Sequence, residues 1–196
     1  MNKQYIIYGA IAFVVILLFV GGCSNYNGMV EKEQVVEQTW AEVQNQYQRR
    51  IDLIPNLVNT VKGYAAHENE TLQDVIEARS KATSITIDPT NLDDTTLEQF
   101  QQAQGELSSA LNRLMAISEA YPDLKANENF RDLQVQLEGT ENRITTARGR
   151  YTEAVKDYNL KVRRFPGNIF AGLFGFDAKP QFKAEAGADQ APEVEF

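Results

Sequence analysis

The chain has 196 residues, 43% of them hydrophobic, with 19 basic against 27 acidic side chains and a net charge of -8. That balance argues against nucleic acid, whose binders need clustered positive charge to displace counterions from phosphate. One Cys and one His furnish neither an internal disulfide nor a structural zinc site, which takes about four N/S ligands.

From Tyr5 to Gly22 the chain runs eighteen residues without a charge. At about 1.5 Å per residue this just crosses the hydrocarbon core of a bilayer. Lys3 precedes it, and Glu31 and Glu33 with only Lys32 follow, which favours an N-in, C-out orientation. The body of the protein is then expected in the periplasm or at the cell exterior. The same stretch also reads as a cleavable signal with a basic start and an apolar middle. Cys23 follows Val20-Gly21-Gly22, resembling a bacterial lipobox, in which cleavage precedes a Cys that carries lipid. Residues 1–23 are a membrane anchor either way, as a transmembrane helix or as a lipoprotein signal ending at Cys23, and membrane lipid is the first expected partner.

After a polar stretch, Ser24 to Gly28, Val36, Trp40, Val43, Tyr47, Ile51, Ile54, Val58 and Val61 recur at steps of three and four. This predicts an amphipathic helix from Gly28 to Tyr64, kinked near Pro55. A second helix starts at Thr71 or Asn69 and fades by Ile85, and residues 88–94 are dense in turn formers. Thr95 or Thr96 starts a third helix, which Pro122 ends. Phe130, Leu133, Leu137, Ile144, Tyr151, Val155, Tyr158, Val162 and Phe165 mark a long fourth, closed by Pro166-Gly167. No window alternates as a half-buried strand does. The fold class is therefore all-α: an N-terminal anchor, then an antiparallel up-down-up-down four-helix bundle over 24–165, with coiled-coil-like spacing and long first and last helices.

Residues 166–176 are apolar and Gly-rich and too short to span. They read as a hook over the bundle end or as an interfacial segment, with Phe170, Leu173, Phe174 and Phe176 as membrane-interface candidates. From Asp177 the tail carries five acidic and two basic residues and is expected to be a flexible acidic extension, 177–196.

Chemistry is hard to find. His67-Glu68 begins an H-E-x-x-H pattern, but position 71 is Thr. The Asp88 loop has Asp93 where a calcium loop needs Gly and Gln99 where it needs Glu. No G-x-S-x-G, phosphate loop or dinucleotide fingerprint occurs. Neither a catalytic residue nor a cofactor or metal site is expected. Arg49-Arg50-Ile51-Asp52 is the densest basic spot of the first helix and reads as surface pairing or as a partner-docking patch with Gln48 and Asn56.

Several segments resemble the LemA family of bacterial membrane-anchored helical proteins. These are Tyr26-Asn27-Gly28-Met29-Val30, Trp40, QYQRRIDLIPNLVNTVKGYAAHENETL from Gln46, AQGELSSALNRL, YPDLKANENF, LQVQLEGTENRI and YNLKVRRFPGNIFAGLFGF. The similarity covers Tyr26 to Phe176 and implies an anchored bundle of four long helices. It implies no reaction and no site residue; relatives are associated with membrane or envelope organisation, and some with membrane proteases or stress responses. Cys23 departs from the plain transmembrane helix of many relatives. Together these readings predict a non-enzymatic membrane-tethered scaffold or adaptor of the cell envelope, contacting an envelope or membrane protein. The alternative is a self-assembling, membrane-shaping protein.

Overall fold

A computed structural model describes residues 3–89 and 92–183, and these form six helices and no strand. They are α1 (Lys3–Tyr64), α2 (Asn69–Ser84), α3 (Asp94–Ser118), α4 (Pro122–Ala126), α5 (Glu128–Arg163) and α6 (Gly167–Phe174). The long first and last helices run antiparallel. Gly28 of α1 faces Lys161 of α5, Lys32 pairs with Asp157, Glu42 with Arg150, Arg50 with Glu141, and Tyr64 meets Asn127. Asp74–Arg113 and Lys81–Glu106 set α2 antiparallel to α3 in the same way.

The sequence suggests a break between anchor and bundle; instead α1 is one helix of 62 residues, continuing through Pro55 as expected there, about 93 Å long. The polar stretch is a contact seat and not a linker. Asn25 donates its side-chain amide to the Gly21 carbonyl at 2.8 Å, and a Cβ at Gly28 would lie 3.1 Å from Lys161 Cε. At Pro55 the missing N–H leaves the Ile51 carbonyl without its helical donor. Arg79 of α2 supplies the replacement, donating Nε–H to that oxygen at 3.2 Å. Removing it strands a carbonyl that only this side chain reaches. We expect Arg79→Ala to cost about 1–3 kcal/mol of stability, read as a lower melting temperature by circular dichroism, and to cost almost nothing in a Pro55→Ala background.

Two helix boundaries differ from expectation. α3 starts under Asp93, whose carboxylate accepts the Thr96 N–H and is held below its usual pKa by that bond. α3 ends at Ser118, and Pro122 opens α4 at a first-turn position instead of closing α3, where its lost donor has no helical partner to miss. The second helix begins at Asn69 without a side-chain cap, because Glu68 accepts from the Tyr121 hydroxyl at 3.0 Å.

The core lies in two clusters. One gathers Ile54, Leu57, Val61, Leu72, Leu107, Leu114 and Phe130 at the far end. The other gathers Met29, Trp40, Tyr47, Phe100, Tyr151 and Tyr158 nearer the apolar segment. Between them sits a polar layer of Arg50, Gln104 and Thr140, all buried.

The tail boundary at 177 is also displaced, because residues 177–183 lie back along the body. Asn159 brackets the Lys179 backbone with bonds of 2.8 and 2.9 Å, and Lys179 pairs with Glu33 at 2.9 Å. Phe182 stacks on Trp40 and meets Tyr151 edge-on, with Arg148 over its outer face. Lys183 joins Glu98 and Gln101 of α3. The physical reason is aromatic: Phe182 covers a pocket that the other helices leave open. Residues 184–196, the rest of the expected flexible tail, lie outside the described residues.

Tyr151 donates its hydroxyl to the Pro180 carbonyl at 3.1 Å, and burial pushes its pKa well above the ordinary value. Tyr158 is raised too, by burial first and then by Glu33 and Asp177. An acid whose folded-state pKa is raised stabilises the fold below the unfolded value and loses that contribution as pH rises through the folded one. Stability should therefore fall from about pH 10 upward, by up to about 1.4 kcal/mol per pH unit for each tyrosine. Tyr151→Phe should flatten the alkaline limb of a melting-temperature profile while lowering its plateau.

Candidate functional site

The five docking candidates divide. Gln48, Arg49, Asp52 and Asn56 are exposed along one face of α1, and Gln48 donates to Asp52 at 2.7 Å. Arg50 is 2% exposed and points inward, correcting its assignment to a surface patch. Its position explains this: Val43, Tyr47, Arg50, Ile54, Leu57 and Val61 follow steps of four and three along the buried stripe. The residue type suggested surface, while the spacing already signalled core.

Arg50 is the centre of the polar layer. One terminal nitrogen donates to Ser108 Oγ at 2.8 Å and to Glu141 Oε2 at 3.0 Å. The other donates to the side-chain and backbone oxygens of Gln104. The guanidinium also lies 5.1 Å from the centroid of the Tyr47 ring, a cation–π distance. Glu141 is more than half exposed, so one partner of a buried cation reaches solvent. Around Arg50, two hollows open between α3 and α5. One, of about 480 Å³, mixes Ser108, Asn112, Gln134 and Glu138 with Leu111, Met115 and Leu137, and the other, of about 500 Å³, is more polar and includes Gln101, Gln104 and Arg148.

This arrangement can hold a segment that is part polar and part apolar. No group of three or more His, Cys, Asp or Glu side chains converges on a possible metal position among the described residues. His67 lies in the exposed turn between α1 and α2.

The membrane-interface candidates divide as well. Phe170 is half-buried where it meets Gly22, and Phe176 is half-buried against the Tyr26 ring. Phe174 sits edge-on to Tyr26 at 5.1 Å but remains partly exposed. Leu173 projects outward, as does Ile169; Phe165, expected on the apolar stripe of the fourth helix, projects outward too, because α5 stops at Arg163 and leaves it beyond the packed face. The lipidation candidate Cys23 is exposed within α1, one residue beyond the Gly22–Phe170 contact. From Ile7 to Val20 the large apolar side chains of α1 that are described are exposed, and α1 is long and apolar enough to cross a membrane.

The profile of the LemA family matches residues 39–196, which include the Arg50 layer, α6 and the tail. The chain belongs to the LemA family. It is also similar to magnetosome protein MamQ 2 of Paramagnetospirillum magneticum, at 24% identity over 93% of this chain and 72% of that protein. MamQ of Magnetospirillum gryphiswaldense is 23% identical over 91% of this chain and 70% of its own length. Protein LemA of Metamycoplasma hominis is 23% identical over 74% of this chain and 63% of its own length. None of these names states a reaction. The LemA match begins at residue 39, so the apolar segment and Cys23 lie outside it.

Proposed function

We propose that this LemA protein is a non-catalytic, membrane-tethered scaffold or adaptor of the bacterial envelope, working through protein–protein contacts. The observation that carries the reading is the single helix running from an exposed apolar segment into a packed body. Such a rod presents a polar face at a set height above a membrane, and tethering raises the local concentration of a surface there. Four long helices, α1, α2, α3 and α5, act as an up-down-up-down bundle in this reading. The N-terminus is cytoplasmic and the bundle faces the periplasm or exterior. Anchorage is by the helix itself or by lipid on Cys23. A partner docks on Gln48, Arg49, Asp52 and Asn56.

The test places photocrosslinking residues at Gln48 and at Asn56 of the full chain in intact cells, with exposed Val135 as the control position. The same discrete membrane or envelope protein captured from both test positions, absent from the control and lost with Arg49→Glu, supports docking. Crosslinks only between copies of the chain overturn it. They would favour the second reading, self-association with membrane shaping, which the outward Ile169 and Leu173 support.

A further inference from the structure

The corner where α1, the end of α5 and the start of α6 meet carries three features together. The first is a shallow hollow of about 400 Å³ lined by Asn25, Lys32, Lys161, Arg164, Phe165 and Gly167, among others. The second is its charge. Lys32 is tied to Asp157 at 3.1 Å, whereas Lys161, Arg163 and Arg164 have no ion pair among the described residues. The third is an apolar ridge beside the cations. Phe165 is 82% exposed, Ile169 59% and Leu173 72%.

Cations in the last turn of α5 complement its dipole, but the dipole gives no reason for three large apolar side chains to stand out beside them. Height along α1 supplies one. The apolar stretch ends at Gly22, where an added Cβ would lie 3.3 Å from the Phe170 ring, and six residues on, one at Gly28 would lie 3.1 Å from the Lys161 stem. Six residues of helix rise about 9 Å, while each headgroup layer is about 5–8 Å thick. Phe170 therefore stands level with the hydrocarbon boundary, and the Lys161 stem has to reach back only slightly to place its ammonium among the headgroups. Gly167 seats the turn closely: a Cβ there would lie 2.3 Å from the Lys161 carbonyl.

We infer that this corner is a docking site for anionic phospholipid, with Lys161 and Arg164 on the headgroup phosphate and Phe165, Ile169 and Leu173 at the top of the acyl chains. The site rests on the membrane-anchored part of the proposed function, and not on the adaptor part. It belongs to the transmembrane form of the anchor, since cleavage before Cys23 would remove the apolar helix beside this corner. Charge complementarity and continuity with the exposed apolar helix both select a lipid surface as the occupant. An amphipathic corner of this kind adds a second attachment to the first and fixes the rotation of α1 about its axis.

The test uses the full chain in proteoliposomes of phosphatidylcholine, with or without phosphatidylglycerol, carrying bromine near the top of the acyl chains. The chain has one Trp, buried Trp40, about 27 Å along α1 from Gly22, which serves as an unquenched reference. Phe13→Trp reports the anchor and Phe165→Trp reports the corner. The expected result is strong quenching of both introduced indoles, severalfold above Trp40, with phosphatidylglycerol deepening quenching at position 165. Lys161→Ser with Arg164→Ser removes that deepening and leaves position 13 unchanged. Quenching at 13 without quenching at 165 overturns the docking site while the anchor stands. Quenching at 165 that ignores both phosphatidylglycerol and the double variant overturns the headgroup assignment. No quenching at 13 overturns the anchor and the site together.

Discussion

Arg50→Ala is expected to lower the stability of the chain by about 3–5 kcal/mol, the loss typical when one member of a buried charged network is removed. The size follows from what is left behind. Gln104 and Ser108 lose the donor between them, and Gln104 is itself buried, so a desolvated amide is stranded beside a cavity. Glu141 suffers less because it already reaches solvent. A second variant separates charge from volume. Arg50→Met with Gln104→Leu fills the space with apolar atoms and removes both stranded groups, so it should recover most of the loss. Thermal melts of the full chain in mild detergent, followed by circular dichroism, read both. If Arg50→Ala melts within a few degrees of wild type, the polar layer is not a joint between the two core clusters.

Phe182→Ala should cost about 2 kcal/mol, less than the roughly 3–5 of a fully enclosed Phe because one ring face is open to Arg148. The loss combines the stack on Trp40 at 5.9 Å, the edge contact to Tyr151 at 5.4 Å and the guanidinium 4.7 Å above the ring. It also has a spectroscopic signature. Trp40 is the only tryptophan, and stripping its cover should shift its emission to longer wavelength and open it to acrylamide. Ending the chain after Ala178 should go further, because Lys183 is then no longer there to join Glu98 and Gln101 of α3 to a strap held on α5 by Asn159. Unchanged Trp40 emission in either variant would sink the strap.

The helices were legible because their apolar residues step by three and four over long windows, and α5 in particular starts and stops near where its pattern does. What stayed hidden depends on partners far away in the chain. Pro55 marks an orphaned carbonyl at Ile51, but no local pattern shows that Arg79, on another helix, serves it. Ser24 to Gly28 reads only as a polar stretch after the anchor until Lys161 lies across Gly28. Phe182 sits in a polar tail, and no local pattern marks a lone aromatic as a cover for Trp40. Arg50 differs, since its buried position was present in the spacing but was outweighed by its charge.

The unbroken first helix has a mechanical consequence. From Gly22 to Tyr64 it is an arm of about 63 Å, and Arg79 serves the Ile51 carbonyl that Pro55 leaves without its helical donor. Membrane-crossing helices tilt by roughly 0–40° as bilayer thickness varies. With the apolar segment seated in lipid, a change of about 10° would swing the far end sideways by about 11 Å on an arm of that length. A chain so seated would act as a lever, turning small adjustments inside the bilayer into large displacements of the surface it carries.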